Sequence, residues 1–187
     1  MRSTRSAEQA AEQHLGATMP RRWCHVRSVA AEANRIAPAF GDGELLVTAA
    51  VLHDIGYAPD LVMTEFHPLD GARFLQTQDA PARLCALVAR HSCAIKEAEL
   101  RGCHADVAEF PDEETPLRDA LWYCDMVTGP DGQRLTVDDR LAEIRNRYGS
   151  ESLVGQFLDI ARPELIAAVD RTIERYTAAG IPQPKYG

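Results

Sequence analysis

Two separate stretches of the chain carry the same stripe, and each stripe ends on a histidine. Leu46, Ala49, Ala50 and His53 follow i, i+3, i+4, i+7 spacing, and Leu84, Leu87, Val88 and His91 repeat it. Apolar residues recur at helical spacing almost throughout. No stretch shows four or more clean period-two repeats with β-branched enrichment, so the fold class expected is all-α. At 187 residues the chain suits a single domain, 1–187, with one core. Helices are expected at roughly 5–15, 20–37, 43–55, 68–77, 81–92, 113–128, 137–148 and 163–179.

Punctuation supports these segments. Gly41-Asp42-Gly43 precedes the third, Pro68 sits where a first helical residue is tolerated, and Thr136 with Asp139 resembles a capping box. Gly149 and Gly180 read as helix stops, and residues 180–187 as an irregular tail. The stretch from Cys93 to Thr115 mixes Gly102, Pro111 and acidic residues, and is expected to be a loop that covers a site.

Ionisable groups on the inner faces carry the functional information. His25 shares a face with Val29, Ala33 and Ile36, and Asp125 continues the face of Leu117 and Leu121. A single buried histidine is ordinarily a hydrogen-bonded core residue. Four helices that each point a His or Asp inward are a different matter, because carboxylates such as Asp54 and Asp125 cost several kcal/mol to bury unpaired. A divalent metal satisfies carboxylates and neutral imidazoles at one point. His67, held extended by the following Pro68, adds another nitrogen, and Gly71 and Ala72 let its helix approach closely.

These residues form a recognisable order. His25, the pair His53-Asp54 within His53-Asp54-Ile55-Gly56, and Asp125 in Tyr123-Cys124-Asp125-Met126 resemble the H…HD…D signature of the HD-domain metal-dependent phosphohydrolase superfamily. The stretch His67-Pro68-Leu69-Asp70-Gly71-Ala72 is similar to the HPxxGA segment of two-metal members. The resemblance spans about residues 20–130 and leaves the C-terminal helices, 137–180, unmatched; they are expected to pack on the domain. It implies an all-α HD-like bundle in which His25, His53, Asp54 and Asp125 hold one metal. His67 and His91 would hold the second, with Asp54 bridging and with Asp54 and His53 as the catalytic residues. It also implies hydrolysis of a phosphate ester by attack of a metal-bound hydroxide, the two ions polarising the phosphoryl oxygens. Mixed imidazole and carboxylate ligation favours iron or manganese, and cobalt, nickel or magnesium are also accepted.

Two departures narrow the substrate. Tyr57 stands where many HDIG proteins carry Lys, and His91-Ser92 appears where HD-GYP phosphodiesterases show paired histidines. A nucleotide or sugar phosphate is therefore expected rather than a cyclic dinucleotide. Arg22, Arg90 and Lys96 are the candidate phosphate contacts. The same ligands also serve di-iron oxygenases of the superfamily, and a catalytically silent metal- or nucleotide-binding module is a third reading.

Charge and composition set outer bounds. Twenty Lys plus Arg against 28 Asp plus Glu give a formal net charge of −8, a poor match for bulk nucleic acid. No apolar run approaches the ~20 residues of a membrane span, and Met1-Arg-Ser-Thr-Arg-Ser leads into a polar stretch, so a cytoplasmic protein without membrane partners is expected. Five scattered cysteines form no disulfide framework, and Cys93, Cys103 and His104 match no paired zinc-ligand spacing.

Overall fold

The computed structural model describes residues 3–184. It is helical, and its one β-bridge among the described residues joins Thr128 to Arg134. The first half comprises α1 (Thr4–Leu15), α2 (Pro20–Ile36), α3 (Gly43–Leu52), α4 (His67–Thr77) and α5 (Ala82–Arg90). The second comprises α6 (Ala94–Arg101), α7 (His104–Ala108), α8 (Pro116–Met126), α9 (Val137–Tyr148) and α10 (Leu153–Ala178). No helix among the described residues is long and apolar enough to cross a membrane.

Local chemistry fixes the starts. Ser3, Thr115 and Ser152 accept hydrogen bonds from the backbone N–H groups of Ser6, Arg118 and Gly155, as N-caps do. Thr136 accepts from the Asp139 N–H at 3.1 Å, but the return bond of a capping box is not formed. Asp139 is one methylene shorter than Glu, and its carboxylate takes the Thr136 hydroxyl at 2.7 Å instead. Pro68 is the second residue of its helix, behind His67.

Helix α8 is the axis of the fold. Every residue from Leu117 to Met126 is buried, and α2, α3 and α10 pack around it. A helix buried on all sides must find partners for its polar side chains: Arg118 and Asp119 pair with each other near its start, and Tyr123 and Asp125 enter two further polar clusters. One large apolar core surrounds it, with a small satellite of Leu15, Val26 and Ala58 beneath α1.

Three segments differ from the sequence expectation. The stretch 93–115 contains α6 and α7 rather than a loop, with Gly102 at a left-handed φ of 74° ending α6. Helix α10 begins at Leu153, ten residues before Pro163, which lies inside it on an exposed position. A helix can absorb an internal proline when packing on both sides holds it, and α10 lies against α6, α8 and α9. The expected 81–92 helix stops at Arg90, where a 3₁₀ turn of His91–Cys93 takes over. Residues 181–184 are irregular, as expected; Met1, Arg2 and 185–187 lie outside the described residues.

Candidate metal centre

Each of the four inward groups reaches the same buried region, and the local backbone explains how. His53 caps the C-terminus of α3 and donates its Nδ1–H to the Ala50 carbonyl at 2.7 Å. His91 follows α5 and donates Nδ1–H to the Val88 carbonyl at 2.6 Å. His25, mid-way along α2, donates Nδ1–H to the Gly129 carbonyl at 3.0 Å. Three imidazoles thus have their Nδ1 protons held by backbone oxygen, which leaves Nε2 of each as a lone pair. Ring nitrogens held this way are how proteins orient histidines toward a cation.

The lone pairs converge on Asp54. Its Oδ2 lies 3.4 Å from His53 Nε2 and 3.7 Å from His25 Nε2, whereas its Oδ1 lies 3.3 Å from His67 Nε2 and 3.9 Å from His91 Nε2. One carboxylate oxygen therefore faces each pair of histidines. His67 and His91 bring their Nε2 atoms within 3.2 Å of each other. Asp125, the fourth ligand expected on the first side, stands beside that group and not within it: its Oδ1 lies 3.2 Å from His25 Nε2, and its Oδ2 accepts a 2.6 Å hydrogen bond from Ser92.

Close backbone approaches build this geometry. A Cβ on Gly56 would come within 2.1 Å of the His67 carbonyl oxygen and 2.5 Å of the Gly71 nitrogen, so only glycine lets the turn after Asp54 lie against the start of α4. Ser92 and Cys93 both take left-handed φ values, 49° and 61°. Two such residues in succession, each costing about 1–3 kcal/mol, turn the chain sharply after His91 and aim the Ser92 hydroxyl at Asp125.

The centre attracts positive charge. His25 Nε2 and His53 Nε2 are buried without a hydrogen-bond partner, a deficit of about 1–3 kcal/mol for each such atom. Burial opposes a charge on His53, yet Asp54 and Asp125 push its pKa up. Burial also opposes the Asp54 carboxylate, but Arg22 and His53 hold its pKa well below the usual range. Asp125 is lowered likewise, against burial, by His25 and His53. His91 goes the other way: burial, His67 and His53 hold it down to about 3, so it stays a neutral donor at physiological pH. Imidazoles with fixed lone pairs around ionised carboxylates fit a divalent cation. Two groups meet the requirement geometrically, His25 with His53 and Asp54, and Asp54 with His67 and His91.

A cavity of about 240 Å³ opens onto the centre. Arg22, Asp54, His67, His91 and Asp125 line it. Arg22 donates to Asp54 Oδ2 at 2.6 Å and lies 4.1 Å over the Tyr57 ring, which in turn stacks on His67 at 3.9 Å. Arg90 and Lys96, the other two expected phosphate contacts, do not line the cavity. Arg90 donates Nε–H to the Phe110 carbonyl at 2.7 Å, and Lys96 pairs with Glu164 at 2.7 Å. The cations that do line it, besides Arg22, are Arg101, Arg140 and Arg147. For the two on α9 the signal was in the sequence: Arg140, Ile144, Arg147 and Tyr148 share one helical face.

An all-α bundle that gathers four imidazoles around one buried carboxylate, with a second carboxylate beside them, belongs to the class of helical metal-binding domains. Its family follows from comparison: the HD domain model matches residues 22–142, and the chain belongs to the HD-domain family, within the metal-dependent phosphohydrolase superfamily. No curated protein and no solved structure matches the chain.

Proposed function

We propose that this protein is a phosphohydrolase that cleaves a small phosphate ester at a two-metal centre. His25, His53, Asp54 and Asp125 would hold one ion, and His67 and His91, again with Asp54, the other. The observation that carries the reading is the convergence of fixed imidazole lone pairs on Asp54, with two of those nitrogens buried and unpartnered. Iron or manganese suits the mixed nitrogen and oxygen donors best. When bound, such ions supply Lewis acidity toward phosphoryl oxygens and lower the pKa of water.

The chain's own groups do the remaining work. Hydrolysis forms one P–O bond from water and breaks the ester P–O bond, the water proton ending on the leaving oxygen. Negative charge on the phosphoryl oxygens calls for fixed cations. Arg22, which stays charged beside Asp54, and Arg140, whose Nη2 lies 3.6 Å from Asp125 Oδ1, are the cavity's nearest cations to the carboxylates. Backbone carbonyls hold the Nδ1 protons of His25, His53 and His91, which keeps those rings from turning away. At about 240 Å³ the cavity is below the roughly 300–1,000 Å³ usual for ligand pockets, which favours a small monoester over a dinucleotide.

The test is phosphate release from nucleoside monophosphates, sugar phosphates and dinucleotides in anaerobic buffer with Fe²⁺ or Mn²⁺, with Asp54→Ala as control. Metal-dependent release by the wild type alone is expected. No release from any ester by protein with metal bound would overturn the reading and direct attention to O₂ consumption.

A further inference from the structure

The cavity has two unlike sides. Toward α4 and α6 it is polar, with Glu65, Glu97 and Arg101, the last two paired at 2.7 Å. Toward α9 and α10 it is largely apolar apart from Arg140 and Arg147. Ile144, Val154, Phe157, Leu158 and Leu165 line that side, and Tyr148 stands at its outer end. Phe157, Leu158 and Leu165 are buried and form the base of this side, whereas Ile144 and Val154 are only half-buried and Tyr148 is 44% exposed. Scattered exposed apolar residues need no explanation, but a contiguous set facing a cavity is what a ligand wall looks like. All of it comes from residues 144–165, beyond the 22–142 span matched to the HD domain.

We infer that α9 and α10 form the leaving-group subsite, and that the substrate is a phosphate monoester whose leaving group is an apolar, ring-sized body. The inference rests on the phosphohydrolase reading for what is done to the phosphate. It goes further in saying which part of the chain selects the substrate and by what chemistry. The wall begins on the face of α9 that also carries Arg140 and Arg147, so one helix presents cations beside apolar groups. Phosphate at the histidine end and an apolar group against Ile144 and Tyr148 would satisfy both ends of the cavity. A polyhydroxylated leaving group would strand its hydroxyls against the apolar wall. Arg147 lies 5.5 Å from the Tyr148 ring at the outer edge of that wall and pairs with Glu143.

The experiment compares phenyl phosphate with glycerol 3-phosphate on Mn²⁺-loaded enzyme, and phenylphosphonate with methylphosphonate by calorimetry, in wild type, Tyr148→Ala and Val154→Asp. Both positions are incompletely buried, and circular dichroism checks that each variant is folded. The expected result is a kcat/KM about tenfold or more higher for the phenyl ester, with the ratio falling toward one in both variants through KM, and with phenylphosphonate the tighter ligand. A ratio near one in the wild type, or variants that leave the ratio untouched, would overturn the inference while leaving the hydrolase standing. If neither ester is cleaved, tighter binding of phenylphosphonate that is lost in Tyr148→Ala would uphold the apolar subsite, and the hydrolase reading would stand or fall on the ester panel above. Equal binding of the two phosphonates would overturn the subsite.

Discussion

Two buried polar clusters flank helix α8, and both are built around a carboxylate. On one side Glu32 accepts from Arg35 at 2.7 and 2.9 Å and from the Tyr123 hydroxyl at 2.6 Å, with Arg134 2.9 Å away. Tyr123 also meets Tyr176 at 3.3 Å, so the cluster ties α2, α8 and α10 together. On the other side Asp54 receives a single charged donor, Arg22, and faces four ring nitrogens, those of His25, His53 and His91 having their ring protons held elsewhere by backbone carbonyls. The difference is one of supply. Glu32 is given donors by the protein, whereas the imidazoles around Asp54 offer lone pairs to a carboxylate that cannot use them. The first pattern stabilises a fold, and the second asks for a cation.

The largest effect should come from exchanging the central carboxylate. Asp54→Ala is expected to lose bound metal and to reduce turnover by about a thousandfold or more, with helical circular dichroism close to wild type. Normal metal content in that variant would remove Asp54 from the bridge. At the other cluster the prediction reverses. Glu32→Ala leaves two arginines facing each other around a buried hydroxyl and should lower unfolding free energy by about 3 kcal/mol in urea titration, with metal stoichiometry unchanged in the folded protein.

Metal itself should then separate the clusters. Mn²⁺ at about one hundred times its dissociation constant is expected to stabilise the wild type by about 2.7 kcal/mol for each site filled, and Glu32→Ala by the same increment. A smaller gain in Glu32→Ala would mean that the clusters are coupled. Acid gives a gentler probe. Burial opposes the Glu32 charge, but hydrogen bonds from Arg35, Tyr123 and Arg134 hold its pKa below the ordinary 4.5. A group with a depressed folded pKa contributes its stability above the unfolded value and loses it as pH falls through the folded one. Thermal stability of metal-free protein should therefore decline below about pH 4.5, and Glu32→Ala should flatten that decline. The smallest effect is reserved for a histidine outside both clusters. His14 pairs with the exposed Asp60 at 2.8 Å, so His14→Ala should change stability by under about 1 kcal/mol and leave turnover alone.

The metal centre was more legible in the sequence than the cavity beside it, for a physical reason. Helical period places His25, His53, His91 and Asp125 on apolar faces, and a residue on an inner face has only the core to point into. Gly56 and Gly71 mark the close approach that brings His67 in. Arg90 and Lys96 were plausible by proximity in sequence to His91, yet which side of a helix end looks into a cavity depends on the next element. Here the left-handed Ser92 and Cys93 redirect the chain, and α6 leaves Lys96 beside Glu164. The apolar wall was hidden for a similar reason. Pro163 looks like a helix start in isolation, whereas the Ser152 cap and packing against α6, α8 and α9 carry α10 back to Leu153.

The most direct test of the central claim is the metal content of protein purified with Mn²⁺ or, anaerobically, Fe²⁺, measured by mass spectrometry for the wild type, Asp54→Ala and Glu32→Ala. Two ions per chain in the wild type and in Glu32→Ala, and none in Asp54→Ala, is the predicted result. A wild type that holds no ion, or an Asp54→Ala variant that holds as many, would contradict it.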